Sequence, residues 1–342
     1  MLTISKPLSA GHLRHYHKEE FANGRANYYT AGDRIKGEWH GRLAARWGLS
    51  GDVDEEHFGR LAEGQHPTTG TQLVQHQTPR TYVDAEGKPV NTLEHRAGWD
   101  ATFSAPKSVS LTALVGGDDR VREAHRESVT AALDHLEWYV QARIGRNHPA
   151  ETTGQWVAAR FEHDSARPVD GYAAPQLHTH VVVFNVTETE SGDTRALQPR
   201  ELYRSQRYAT AVYRSEMATR LQTLGYEIDR GPFGQLEIAG YTQAYVDASS
   251  PRHQQIQEHL AQHGHGGLEA AEIAAHHTRE AKLEASHDDM HRRHREIAHV
   301  FGDQPAHVVA VAEAHAHERE IRPNAEALAA QTGVTFAKDR NF

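Results

Sequence analysis

One short stretch constrains the fold of this chain more than any other. The sequence "PQLHTHVVVFNV", residues 175–186, places two histidines one residue apart at the head of an apolar run. A run of this length that is rich in valine favours a buried β-strand. Successive side chains of a strand point to opposite faces, so His178 and His180 share a face with Val182 and Phe184. The pattern predicts two imidazoles at the mouth of a sheet, above an apolar core.

The histidine pair alone is a weak signal for a metal site. The chain contains 27 histidines in 342 residues, and roughly two His-x-His pairs are expected by chance at that frequency. Three further pairs stand elsewhere in the sequence: His15 with His17, His263 with His265, and His315 with His317. A metal site at residues 178–180 therefore needs a third ligand.

A second predicted strand supplies a candidate for that ligand. In "GQWVAARFEHD", alternation places Val157, Ala159, Phe161 and His163 on one face. If the two strands pair antiparallel, three imidazoles converge at one edge. Three histidines leave coordination positions open, as a catalytic metal site requires. The alternative is that His163 only caps the loop "HDSARPVDGYAAP" that follows it.

A carboxylate stands in a third predicted strand. In "GWDATFS", alternation groups Asp100 with Thr102 and Ser104. A carboxylate behind a metal-bound imidazole fixes its tautomer and raises its basicity, and it can also accept a proton from a nucleophile. The alternative is a surface aspartate at the start of a strand.

The composition restricts the choice of nucleophile. The chain has no cysteine, which excludes disulfides, thiolate nucleophiles and thiolate zinc sites. Tyrosines cluster near the start, with Tyr16 in "LRHYHKEE" and Tyr28 and Tyr29 in "RANYYTAG". A phenol with a pKa of about 10 attacks phosphorus only when a cation or a base assists its deprotonation. The alternative is that these rings pack on a helix.

Charge and hydropathy exclude other classes of protein. A net charge of −9 and a pI near 6.3 argue against a protein that coats nucleic acid indiscriminately, but they allow a local basic groove. The sequence has no apolar run long enough to span a membrane and no secretion signal, so we expect a cytoplasmic protein without membrane insertion. The sequence also has no GxxxxGK[ST] phosphate loop, so we do not expect this chain to be an ATP-driven motor.

Two segments differ in their patterns. Residues 1–241 mix predicted strands and helices, including a long helix from Asp118 to about Ile144, and the Gly- and Pro-rich stretches at 65–80 and 84–92 favour loops. Residues 242–342 are rich in Ala, Glu and His with helix after helix, which predicts a separate helical subdomain. No termination signal is evident at the end of the chain, and a longer parent protein is one explanation.

Three motifs in order carry a resemblance to a known family. "FSAPKSVSLTALVGGD", "FEHDSAR" and "PQLHTHVVVFNVT" follow an amino-terminal tyrosine cluster. Together they closely resemble conjugative relaxases of the TrwC/TraI type, the MobF family. The stretch "LQPRELYRSQRYATAVYRSEMATRLQTLGYE" continues the likeness, which covers nearly the whole chain and is weakest after about residue 250.

The resemblance implies a fold and a metal centre. The fold is that of a histidine-hydrophobe-histidine endonuclease, an α+β antiparallel sheet with helices on its faces. We expect the helical C-terminal subdomain to close over DNA as a lid. His163, His178 and His180 become ligands of one divalent metal, and Asp100 assists them or the nucleophile. Mg or Mn is the expected ion in the cell, with Zn, Ni or Co as alternatives.

The resemblance also implies an activity. Such enzymes nick one strand at an origin of transfer and join a tyrosine to the 5′ phosphate. Tyr16 becomes the first nucleophile, and Tyr28 or Tyr29 the second, with Tyr28 preferred. Lys107 and Arg167 are candidates for phosphate contacts, or else ordinary surface charges. The expected partners are single-stranded and hairpin DNA, accessory relaxosome proteins, a coupling protein and a type IV secretion system that delivers the protein with its DNA.

The sequence departs from the family in several ways. Relatives commonly carry paired tyrosines at the first position, whereas His15 and His17 flank Tyr16 here. The spacing from Tyr16 to Tyr28 is longer than usual, which leaves the second nucleophile open, and the helicase that usually follows is absent from this chain. Two other functions are also considered: a rolling-circle replication initiator with the same chemistry, and a catalytically silent DNA-binding module.

Overall fold

The computed structural model describes residues 1–16, 37–74, 81–83, 89–91, 96–145, 148–231, 234–263 and 287–316, together with residues 270, 274 and 278. The strands are Leu2–Ile4 (β1), Leu8–Ser9 (β2), Glu38–His40 (β3), Thr81–Val83 (β4), Pro89–Asn91 (β5), Arg96–Ser104 (β6), Gln141–Ala142 (β7), Glu151–Thr152 (β8), Ala158–Ser165 (β9), Pro175–Phe184 (β10), Thr187–Glu188 (β11), Thr194–Arg195 (β12), Ile228–Arg230 (β13) and Leu236–Ile238 (β14). The helices are Ala10–Tyr16 (α1), Arg42–Arg46 (α2), Glu55–Ala62 (α3), Lys107–Leu114 (α4), Asp119–Glu137 (α5), Arg200–Thr223 (α6), Gln243–Ala248 (α7), Pro251–His263 (α8), His287–Val300 (α9) and Gln304–His315 (α10).

A central antiparallel sheet organises the chain. Its strand order is β1-β6-β10-β9-β3, and β2 also pairs with β6. β10 lies in the middle, with its valines between β6 on one side and β9 on the other. Gly98 of β6 allows close pairing there, because a Cβ at this position would lie 2.3 Å from the carbonyl oxygen of Val183. The predicted pairing of the two histidine strands is confirmed.

One face of the sheet, which we call the helix face, packs against α5 and α6. Phe103, Leu177 and Val181 lie in one buried cluster with Leu133 of α5 and Met217 of α6. Helix α5 has buried residues every three or four positions, which is the pattern that packs one helix face on a sheet. The Asp118 carboxylate accepts a hydrogen bond from the backbone N–H of Arg120 and so caps the first turn of α5.

The opposite face carries the three histidines, and we call it the histidine face. Below them, Phe161, Val182 and Phe184 form a buried cluster with Leu13 of α1 and Phe58 of α3. Helices therefore cover both faces of the sheet, and the predicted α+β class is confirmed. The strand alternation predicted for residues 178–184 and 157–163 is also confirmed.

Two local expectations were wrong. The helix predicted to reach Ile144 ends at Glu137, and the chain then forms β7, which pairs with β8. Val140 continues the helical spacing, but it is buried in the sheet's core as part of the turn that leads into β7. In the second case, β4 and β5 form an antiparallel hairpin where Pro89–Asn91 was expected to be loop.

The carboxy-terminal helices share the main core. Val308 and Ala312 of α10 belong to the same buried cluster as Phe103 and Leu177. The boundary predicted between residues 241 and 242 stays a prediction, and the helices beyond it contact the sheet domain directly. Within the part of the chain that the structure describes, no helix combines the length and apolarity needed to span a membrane.

Candidate metal centre

Three imidazoles meet on the histidine face. His178 of β10 lies directly opposite His163 of β9, and His180 follows two residues later on the same face. The ring centroids are 5.2 Å apart for His163 and His178, 5.1 Å for His163 and His180, and 5.0 Å for His178 and His180. The strand register thus brings the three predicted ligands together.

Hydrogen bonds orient two of these rings. Nδ1 of His178 donates to the backbone carbonyl oxygen of Gln176 at 2.8 Å. Nδ1 of His180 lies 2.8 Å from Oδ2 of Asp100 and 3.1 Å from the Thr102 hydroxyl. Because a carboxylate and a carbonyl only accept, both rings carry their proton on Nδ1. In that tautomer, Nε2 presents its lone pair to a metal.

Burial keeps the His178 ring neutral. Removal from solvent, together with the neighbouring His180, lowers the pKa of His178 to about 4. A neutral imidazole is the form that ligates metals. Three imidazoles, with a carboxylate behind one of them, match the nitrogen-rich ligand sets that hold catalytic divalent ions. The donor set of this site therefore fits a divalent metal.

Polar contacts on the helix face support the histidine strands from behind. Thr179, between the two β10 histidines, bonds Nε2 of His125 at 2.9 Å, and the other ring nitrogen of His125 bonds the Tyr213 hydroxyl at 2.8 Å. Glu162, which precedes His163, accepts hydrogen bonds from Arg122 at 2.5 Å and Arg126 at 2.7 Å. These residues were missed by the sequence analysis, because their partners lie far apart in the chain and carry no spacing signal.

The other predicted residues fall in different places. Helix α1, which packs on the histidine face through Leu13, ends at Tyr16. Tyr28 and Tyr29 lie outside the described residues. Arg167 is half-buried in the loop between β9 and β10. Nζ of Lys107 donates to the backbone carbonyl oxygen of Pro175 at 2.7 Å, and burial lowers the pKa of this amine to about 7.

Comparison with known proteins shows the family of this chain. The family model described as TrwC relaxase matches residues 10–301. The chain belongs to the TrwC relaxase family. The match includes all three histidines and Asp100, and it confirms the family suggested by the sequence motifs.

The relatives that match are longer proteins. The chain is 35% identical over 345 residues to the multifunctional conjugation protein TraI of Escherichia coli, an alignment that covers 97% of this chain and 18% of TraI. A second TraI, from E. coli strain K12, is 34% identical over 294 residues, which is 82% of this chain and 15% of that protein. The chain thus spans less than a fifth of the length of these two relatives.

Solved structures of similar shape include DNA complexes. The metal-bound structure of conjugative relaxase TrwC with OriT DNA superposes with a TM-score of 0.71 at 31% identity, covering 88% of this chain and 99% of that chain. TrwC with a 27-mer DNA that comprises the recognition hairpin and the cleavage site gives a TM-score of 0.69 at 30% identity, with the same coverage. These neighbours share the α+β fold over 88% of this chain.

Proposed function

We propose that this chain is a relaxase domain that cuts one DNA strand at an origin of transfer and holds the cut end covalently. The observation that carries the proposal is the convergence of His163, His178 and His180, with Asp100 bonded to the third ring. The family relatives act in conjugation, and TrwC binds OriT DNA. We infer the same class of substrate for this chain.

The chemistry is a transesterification on phosphorus. The phenol oxygen of Tyr16 forms the new bond to the phosphorus, and the bond from phosphorus to the 3′ oxygen breaks. The phenol loses its proton and the departing 3′ oxygen gains one, so one phosphodiester replaces another without ATP. A divalent cation bound by the three imidazoles would offset the negative charge that develops on the phosphate oxygens. The support for Tyr16 as the nucleophile is its position as the last residue of helix α1, which packs on the histidine face through Leu13.

The polypeptide's own task is to hold the ligand rings in one geometry. Asp100 accepts the Nδ1 proton of His180 and keeps that ring in the Nε2-ligating tautomer. The Gln176 carbonyl does the same for His178. We take Mg or Mn as the ion used in the cell, with Zn, Ni or Co as alternatives. Tyr28 or Tyr29 is the proposed second nucleophile.

The wider setting follows from the same proposal. We expect the substrate to be single-stranded and hairpin DNA, with residues 242–342 closing over it and with Lys107 and Arg167 near its phosphates. For Lys107 this contact requires that Nζ share or release the Pro175 carbonyl. Accessory relaxosome proteins, a coupling protein and a type IV secretion system are the proposed partners. The proposed place of action is the donor cytoplasm, followed by delivery to the recipient with the DNA.

Covalent capture of DNA tests this function. Labelled single-stranded oligonucleotides tiled from the DNA that flanks the gene are incubated with the chain and Mg²⁺ or Mn²⁺. The expected result is a protein–DNA band that resists denaturation, is lost with a chelator, and is lost in Tyr16→Phe. Tyr28→Phe and Tyr29→Phe are the matched variants, and loss of the band in either one instead would move the first nucleophile.

The captured sequence separates the remaining alternatives. Adducts that map to an origin of transfer support the relaxase, whereas adducts at a replication origin would favour a rolling-circle initiator. Retention of oligonucleotide without any covalent band, under conditions where the wild-type chain is folded and metal-loaded, would favour a silent DNA-binding module and would contradict the proposal.

A further inference from the structure

A second cluster of metal-ligating side chains lies on the helix face of the sheet. His40 ends the edge strand β3, while Asp134 and Glu137 stand one turn apart on α5. Each of the three offers a ligand atom, and these atoms all lie within 4.8 Å of one another. Trp39 packs into the cluster of the histidine face, so His40, the next residue of the strand, points to the opposite face. The sheet thus separates this cluster from the three histidines.

The distance between the first two ligand atoms suits a tetrahedral ion. Nε2 of His40 lies 3.4 Å from Oδ1 of Asp134. Zinc bonds of about 2.0–2.2 Å at a tetrahedral angle hold two ligand atoms about 3.4 Å apart. A charge-assisted N–H···O bond would be shorter, about 2.7–2.9 Å. The spacing therefore matches two ligands of one ion better than a direct ion pair.

The His40 ring is buried with one nitrogen unmatched. Its side chain is only 10% exposed. Nε2 is fully buried and makes no hydrogen bond to any residue within the described ranges. A buried imidazole nitrogen without a hydrogen-bond partner carries a desolvation cost, which a cation bound between it and the Asp134 carboxylate would offset.

The remaining ligands are held in suitable places. Oε1 of Glu137 accepts the backbone N–H of Arg42 at 2.7 Å and that of Trp156 at 3.0 Å, which fixes the carboxylate beneath the start of α2. The Asp134 side chain is 57% exposed, so an ion has a path from solvent. A fourth tetrahedral position remains for water.

Nearby arginines are committed to other groups. Nη1 of Arg42 donates to the carbonyl oxygen of Gly154 at 2.8 Å, and its guanidinium stacks 3.6 Å above the Trp138 ring. Nε of Arg160 donates to Glu38 at 2.9 Å. The three carboxylates of Glu38, Asp134 and Glu137 outnumber these two cations. The local charge thus remains favourable for a divalent ion.

We propose that His40, Asp134 and Glu137 form a second metal site that takes a divalent ion of the Zn²⁺ type and ties edge strand β3 to helix α5. Carboxylate and imidazole ligands at this spacing suit Zn²⁺ or Co²⁺ rather than an octahedral Mg²⁺. This second metal site takes no part in DNA strand cleavage. It can therefore be tested independently of the proposed function.

Metal stoichiometry tests the site. Co²⁺ and Zn²⁺ are titrated into the full chain carrying His178→Ala and His180→Ala, which disables the first centre. We expect one tight equivalent, with a tetrahedral Co²⁺ visible spectrum. Adding Asp134→Asn should weaken that equivalent at least tenfold, and adding His40→Gln should abolish it. Asp134 is exposed, so its variant remains informative even if His40→Gln fails to fold.

A matched control separates this site from adventitious binding elsewhere on a chain that has 27 histidines. Glu123→Gln removes one exposed carboxylate from the same helix and should leave the tight equivalent unchanged. Equal affinity in Asp134→Asn and Glu123→Gln would overturn the site, as would the absence of a tight equivalent in the His178→Ala/His180→Ala background. Covalent DNA capture, measured with the first centre intact, should be the same in Asp134→Asn and wild type.

Discussion

The two faces of strand β10 differ in role: one carries candidate metal ligands, and the other packs into the buried core. On the histidine face, the Nδ1 atoms of His178 and His180 are held by Gln176 and Asp100, and each ring keeps Nε2 for a metal. On the helix face, Thr179 meets His125, whose two ring nitrogens both bond to hydroxyl groups. The difference separates the two predicted ligand rings of β10 from the structural ring behind them: each ligand ring has one nitrogen anchored, whereas the His125 ring has both nitrogens engaged.

Removal of a ligand ring should have the largest effect. Loss of an outer partner of a metal ligand typically costs 10–100-fold in affinity or activity, so we expect His178→Ala or His180→Ala to cost more than about 100-fold. The measurements are metal affinity and the yield of covalent DNA adduct. His307→Ala, at an exposed position, is the control. Full activity in both ligand variants would contradict the assignment of His178 and His180 as metal ligands.

The anchor of His180 should have the next largest effect. Asp100→Asn keeps the shape but places an uncharged amide beside Nδ1, so we expect metal affinity and cleavage to fall by roughly 10–100-fold. Thr102→Val removes the longer 3.1 Å contact and should cost less. The comparison is made by metal titration and by adduct yield at saturating metal. A larger loss in Thr102→Val than in Asp100→Asn would contradict the assignment of the carboxylate as the main anchor.

On the helix face, the readout should be stability rather than metal affinity. Tyr213→Phe leaves a nitrogen of the buried His125 without its partner, and we expect a loss of about 1–3 kcal/mol in the free energy of unfolding. Tyr208→Phe removes a similar bond, 3.0 Å from Tyr208 to His135, at an exposed position. That variant should change stability by less than about 0.5 kcal/mol. Equal losses in denaturant melts would mean that burial does not distinguish the two tyrosine–histidine pairs.

The same two faces explain what could be predicted from the sequence. The convergence of His163, His178 and His180 was predictable because strand alternation is local and each strand carries its own apolar pattern. The contacts of His125 could not be predicted from the sequence, because its partners Thr179 and Tyr213 lie 54 and 88 positions away in the chain. The end of α5 at Glu137 was missed because Val140 continues the helical spacing and is buried in the same core.

Titration of the helix face should appear in the pH dependence of stability. Burial lowers the pKa of His125 to about 3 in the folded protein, against about 6.5 in the unfolded chain. Between these values the unfolded state binds one more proton, so the free energy of unfolding falls as the pH is lowered through this window. His125→Gln should flatten that slope by at most about 1.4 kcal/mol per pH unit. The slope is measured by denaturant melts from pH 4 to 7, with His307→Gln as the control. If His125→Gln and wild type lose stability equally toward low pH, the buried ring is not the group that resists protonation.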